Sequence, residues 1–269
     1  MDMNQFLDLM TKVKMYDLTQ ILSIHSPPWP SYVPLSIQYF KRIAGAHMGQ
    51  GANGQIITSS HHVGTHMDGE IHFHGSGRSI GKLPITDWVG PGVVVDISGD
   101  VGDYDLYSPK LLMDKVEIKK GDILVINTGY HRYSWDQPES DEVRYFVKHP
   151  GPGPEFHKWA LEMELKWIGV DCGSADHPMN TIIRDWHPKL FIEAEKKLKK
   201  KYGKNWDEMF PDHYQVMHLK LFPHKLVHAE NLGGDIDKCL NKRLWIGCFP
   251  VRALEFESAW CRIVAIESP

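Results

Sequence analysis

Cysteine is scarce in this chain, with four in 269 residues. Cys172, Cys239, Cys248 and Cys261 form no C-x-x-C pair and are too sparse for a disulfide-stapled secreted scaffold. None has a local context that would activate a thiolate, so all four are expected in the core, and a cytoplasmic setting is expected for the protein. Charge of one sign is also lacking. Thirty Lys and Arg against 34 Asp and Glu leave a net −4, which gives no electrostatic reason to expect nucleic acid as a partner. The most basic run, KKLKKKYGK from Lys196 to Lys204, follows Glu193 and Glu195 and reads as the solvated face of a helix. No window approaches the roughly 20 apolar residues that span a bilayer, so no membrane partner is expected. The opening MDMNQFLDLMTKVK carries Asp2 and Asp8 where a signal peptide keeps an apolar core.

Familiar catalytic signatures are missing as well. There is no G-x-S-x-G elbow, and Ser174-Ala-Asp-His177 crowds three triad residue types too closely to be a triad. GQGANG, Gly49 to Gly54, matches G-x-G-x-x-G literally, but a helix is expected before it and a strand after it. That is the reverse of the dinucleotide-binding order, so it reads as a loop. With no repeat, low-complexity tract or Ser/Gly linker, residues 1–269 are expected to form a single domain.

With 42% hydrophobic residues, the chain can build a large core. A helix is expected over Met3–Lys14 and a strand over Tyr16–Leu22, followed by the proline-rich turn HSPPWPSYVP. Ile37–Ile43 is expected to be helical. The β-branched runs Gln55–Ser60 and Gly92–Ile97 predict strands. Ser108 with Pro109 predicts a capped helix through Asp114, and GDILVINTG then predicts a buried strand. Helices are expected from Pro154 to Lys166 and from Pro188 to Tyr202, with the strand WIGVD between them. Further strands are expected at Lys225–Ala229, Leu244–Phe249 and Trp260–Ala265. Several neighbouring strands lack a helix between them, which points to an α/β chain with a mixed sheet and flanking helices.

The densest chemistry lies in HVGTHMDGEIHFH, four histidines and two acids from His62 to His74. Imidazole and carboxylate are what Zn²⁺ and Mn²⁺ take up, whereas burying such groups without partners costs roughly 2–7 kcal/mol each. His62 and His66 stand four apart, but Val-Gly-Thr between them is poor helix material. In an extended segment His62, His66, Asp68 and His72 share parity and tend to one side. The shell needs ligands from elsewhere. His218, His224, His228 and Glu230 are candidates, as are Asp171, Asp176 and His177, and spacing does not choose among them. Trp29, set between prolines, could wall an aromatic pocket or simply pack.

HVGTHMDGEIHF resembles H-x-G-T-H-x-D-x-P-x-H-F, the signature of the metal-dependent cyclase-like hydrolases, which include bacterial kynurenine formamidase and isatin hydrolase. YDLTQIL, GDILVINTGY, IGVDCGSADHP and AENL resemble further family segments, and FPVRALEFE resembles its closing P-x-R-A strand. The resemblance implies a swivelling β/α/β-type fold. It makes His62, His66 and Asp68 the first ligands, with Asp68 bridging to a second metal on His218, twelve positions before Glu230, and on Glu230 itself. His72 becomes the acid–base residue, and the loop with Trp29 borders the substrate. One or two Zn²⁺ or Mn²⁺ per subunit and a homodimer or homotetramer follow. The implied activity is hydrolysis of a C–N bond in a small-molecule amide, formamide or cyclic amide by metal-activated water. A lactonase, a metal-assisted lyase or cyclase, or a non-catalytic binding homologue are the alternatives. Glu70 departs from the family proline and could orient a histidine or reshape the pocket. The chain also carries extra length at 135–152 and 184–212, where lids or oligomer contacts are expected.

Overall fold

The computed structural model describes residues 2–211 and 214–269. Helix α1 (Met3–Met10) opens on a capping box between Asp2 and Gln5 and buries none of its residues. Strands β1 (Lys14–Asp17), β2 (Ser36–Lys41), β3 (Gly54–Thr58) and β4 (His66–Asp68) follow, then β5 (Val89–Asp96) and the short β6 (Leu106–Tyr107). Helix α2 (Pro109–Met113) has the expected Ser108 cap and leads to β7 (Ile123–Asn127), which is buried throughout. After β8 (Gly151–Pro152) come α3 (Phe156–Glu162), β9 (Ile168–Val170), α4 (Ile183–Trp186), α5 (Pro188–Tyr202), α6 (Trp206–Met209) and α7 (Val216–Leu221). The chain ends on β10 (His228–Glu230), β11 (Lys242–Pro250) and β12 (Ser258–Glu267). No helix among the described residues is long and apolar enough to cross a membrane.

The main sheet is mixed, as expected. Strands β5, β7, β9 and β10 run parallel in that order, and each crossover carries helix: α2, then α3, then α4 to α7. Antiparallel β11 and β12 extend the β5 edge. Strand β4 pairs with β10 on one side and with Ser258–Trp260 of β12 on the other, closing the sheet into a barrel-like ring. Val93, Val94 and Val95 with Ile123 to Ile126 fill the core, and all four cysteines are buried and free.

Two expectations are corrected. The expected helix over Ile37–Ile43 is not formed: Ser36–Lys41 is a strand paired antiparallel with β3, every residue of it is exposed, and Ile43 only opens a short 3₁₀ turn. Alternation in S-I-Q-Y-F-K has strand period, and no core selects a helical face there. FPVRALEFE is not the closing strand. Residues 251–257 connect β11 to β12, and Ser258–Glu267 closes the sheet. Residues of the extra segments, within 135–152 and 184–211, also pack into a second apolar cluster. In it Tyr145, Phe146 and Val147 pack with Ala194, Leu198 and Trp206.

Candidate metal centre

Strand alternation and register assemble the centre. Met67 of β4 enters the core, so His66 and Asp68 share the opposite face. Pairing on one edge sets Glu230 against His66, and pairing on the other sets Ser258 against Asp68. Because His228 and Glu230 are two apart on β10, they also face the same side.

Four imidazoles converge on two carboxylates. Oδ1 of Asp68 lies 3.5 Å from both His62 Nδ1 and His66 Nε2. Its Oδ2 lies 3.5 Å from His218 Nε2 and 3.4 Å from His228 Nδ1. Glu230 repeats the pattern: Oε2 is 3.8 Å from His66 Nε2, and Oε1 is 3.9 Å from His218 Nε2 and 3.5 Å from His228 Nδ1. Both oxygens of Asp68 and both ring nitrogens of His228 are buried without a hydrogen-bond partner among the described residues. Such atoms cost about 1–3 kcal/mol each if nothing satisfies them. Donors on one tetrahedral cation, at bonds of about 2.0–2.2 Å, stand about 3.4 Å apart, so the set fits a divalent metal. Asp68, His218, His228 and Glu230 form one group able to hold an ion, and His62, Asp68 and His72 form another.

Electrostatics agree. Burial would raise the carboxyl of Asp68, but the rings of His72, His218, His62 and His66 hold it well below the usual carboxylate range. Burial and then the Asp68 charge push Glu230 up. Two carboxylates this close resist ionising together unless a cation lies between them. Burial brings His66 down to about 4 and, with the His218 charge, takes His228 well below its ordinary value, so both rings are neutral and free to ligate. Burial acts against His218 too, yet Asp176 and Asp68 overcome it and raise that ring to about 10.

Each ring but His228 has an outer partner. The Gly64 carbonyl lies 2.9 Å from His66 Nδ1, and Asp176 lies 2.7 Å from His218 Nδ1, which leaves Nε2 of each facing Asp68. Glu257 reaches His62 Nε2 at 3.1 Å and His72 Nδ1 at 2.7 Å. The hydroxyl of Ser174 and the backbone N–H of Ala175 donate to Glu230 at 3.1 and 2.8 Å. A cavity of about 300 Å³ opens above the cluster, with His72, His218 and Glu230 at its base. Trp29, Tyr32, Phe73 and Trp186 supply its aromatic wall.

A family model for the cyclases matches residues 16–177. The chain belongs to the Cyclase family. Among its relatives, the kynurenine formamidase of Geobacillus thermodenitrificans is 29% identical over 60% of this chain and 69% of its own length. That of Delftia acidovorans is 26% identical over 81% of this chain and 93% of its own. The isatin hydrolase A structures share the fold. The one from Labrenzia aggregata superposes with a TM-score of 0.76 at 18% identity, covering 99% of both chains. The one from Ralstonia solanacearum gives 0.75 at 19% identity, over 99% of this chain and 97% of its own.

The structure brings together His62, His66, Asp68, His72, His218 and Glu230 and sets Trp29 in the wall of the cavity they share. It adds His228, which spacing had kept among the candidates, and whose signal was its i, i+2 relation to Glu230 on one strand. It also adds Glu257, which had no sequence signal. The remaining candidates lie elsewhere. His224 is exposed, Asp171 is bonded to Thr128, Gly129 and His131, and His177 accepts from the Met179 N–H. Asp176 reaches the cluster only through His218. Glu70 neither orients a histidine nor lines this cavity. Arg78 takes its carboxylate with side chain and backbone at 2.6–3.0 Å, pinning the loop between them.

Proposed function

We propose that this protein hydrolyses the C–N bond of an amide, formamide or cyclic amide with two divalent ions, Zn²⁺ or Mn²⁺. His62, His66 and Asp68 would hold one, and Asp68, His218, His228 and Glu230 the other. One observation carries the reading: four buried imidazoles surround the carboxylates of Asp68 and Glu230, and both Asp68 oxygens lack a hydrogen-bond partner among the described residues, directly beneath an aromatic cavity. Bound metal supplies carbonyl polarisation and a water acidic enough to attack near neutral pH. The chain's residues do the rest. Asp68 would stay a ligand, since a carboxylate held on a divalent cation is a poor base. His72 lines the cavity and, with Nδ1 held by Glu257, has Nε2 available to take a proton from the attacking water and deliver it to the leaving nitrogen. Trp29, Tyr32 and Trp186 form a slot suited to a flat, apolar acyl or aryl group.

The same reading carries the swivelling β/α/β description of the fold and a homodimer or homotetramer in which a second copy covers the exposed β2–β3 hairpin. Elemental analysis of purified protein, then turnover of N-formylkynurenine, isatin, cyclic imides and lactones in ¹⁸O-water, tests the function. Two ions per subunit and label in a new carboxylate or formate are expected. Protein without metal, or a product without label, would overturn it. His228→Ala should lower the metal stoichiometry.

A further inference from the structure

We propose that Glu257 is a positioning residue whose single carboxylate sets the tautomers of both His62 and His72. This rests on the metal-centre reading above. Glu257 sits in the connection into β12, immediately before Ser258, which the register places opposite Asp68. Its oxygens lie 3.1 and 3.2 Å from His62 Nε2, and one of them is 2.7 Å from His72 Nδ1. The Ser258 hydroxyl donates to Oε1 at 2.8 Å. A carboxylate only accepts, so the bonded nitrogen of each ring must carry its proton. In neutral imidazole that leaves the other nitrogen as the one with a lone pair.

The consequence differs for the two rings. His62 must turn Nδ1 inward, and Nδ1 is the atom found 3.5 Å from Asp68 Oδ1. His72 must present Nε2 to the cavity. The rings lie nearly face to face, 4.4 Å between centroids and 30° apart, so one acceptor reaches both. His61 Nδ1, 3.6 Å from Oε1, approaches the same carboxylate from the outer side. A ligand and the proton carrier are thereby coupled through one side chain of the 251–257 connection. At 39% exposure, Glu257 can be replaced without opening the core.

Glutamine at 257 loses the charge and puts an amide N–H₂ in place of one carboxylate oxygen, so either His72 Nδ1 or the Ser258 hydroxyl loses its acceptor. Glu257→Gln should weaken Zn²⁺ binding about 10–100-fold in chelator competition, the usual cost of losing a group that orients a ligand. On saturating Zn²⁺, kcat should fall with KM little changed, and Glu257→Asp should recover part of both losses. ¹⁵N shifts of labelled histidine in wild-type protein should show His72 protonated on Nδ1 and His62 on Nε2, and Glu257→Gln should change at least one ring. Wild-type rings in the opposite tautomers would overturn the assignment. So would a Gln variant with Zn²⁺ affinity within threefold of wild type and both rings unchanged. Affinity and tautomers are read without substrate, so failure to find a hydrolysed amide would leave this test intact.

Discussion

Asp176 Oδ2 lies 2.7 Å from Nδ1 of His218, and the same carboxylate accepts from the backbone N–H groups of Met217 and His218. The start of α7 and the ring it carries are therefore held as one unit, with Nε2 turned to Asp68. Asp176→Asn keeps an acceptor but loses the charge that makes the ring a stronger ligand. Zinc affinity should fall about 10–100-fold with little change in fold. Chelator competition checks this, and unchanged affinity would reduce Asp176 to a helix-start partner.

His72→Ala should keep both ions and lose turnover by about 10²–10⁴ in kcat. The control matters because His72 is close enough to His62 and Asp68 to share an ion with them. Elemental analysis of the variant decides. Loss of one ion would make the ring a ligand, and activity within a few-fold of wild type would remove it from the chemistry altogether.

Elements whose residues carry their own reason were legible in the sequence. The β5 and β7 runs are β-branched and buried, α2 has its Ser108 cap and Pro109, and α5 runs from Pro188 to Tyr202 as expected. The His62–Asp68 segment was legible because no packing role explains so many imidazoles. Glu257 was not, because its place depends on register between strands distant in sequence, and His228 stayed one candidate among several until β10 put it on the face of Glu230. Residues 37–43 misled because Ile37, Tyr39 and Phe40 are exposed, so no core-facing stripe backs their short alternation. Lys225–Ala229 shifted to His228–Glu230 because Lys225 takes a left-handed φ of 65° after a 3₁₀ turn.

The β2–β3 hairpin supports a prediction of its own. Phe40 is 68% exposed, and Ile56 and Ile57 on the partner strand are 53% and 52% exposed. Gln38 pairs with Ile56 and Ile37 with Ile57, so apolar side chains stand on both faces of a two-stranded ribbon. Such a ribbon is marginal in water, and apolar side chains exposed on both its faces favour a covering partner. If a second copy covers it, light scattering should show a dimer or tetramer at micromolar protein. Phe40→Asp with Ile56→Asp should give folded monomer. A wild-type monomer under those conditions would refute the assignment.

His131 gives the pH dependence. Burial would lower its pKa, but Asp171, 2.9 Å from Nδ1, and then Asp237 raise it. Burial would raise Asp171, but His131 and the Thr128 donors lower it. Because the folded pKa of His131 lies above the unfolded value of about 6.5, its contribution is complete below that pH and is lost as pH rises through the folded value. Asp171 works in the opposite sense. Its share is present above about 3.9 and is lost only as acid passes below its depressed folded value. His131→Asn should therefore cost most near pH 6, about 1–3 kcal/mol for a charge-assisted bond. The gap from wild type should narrow toward pH 9. Thr128 and Gly129 still donate to Asp171 in the variant, so the joint between β7 and β9 survives for the measurement. Urea unfolding at fixed free zinc across this range checks it, and a gap that widens with pH would mean that the ring acts as a neutral packing group.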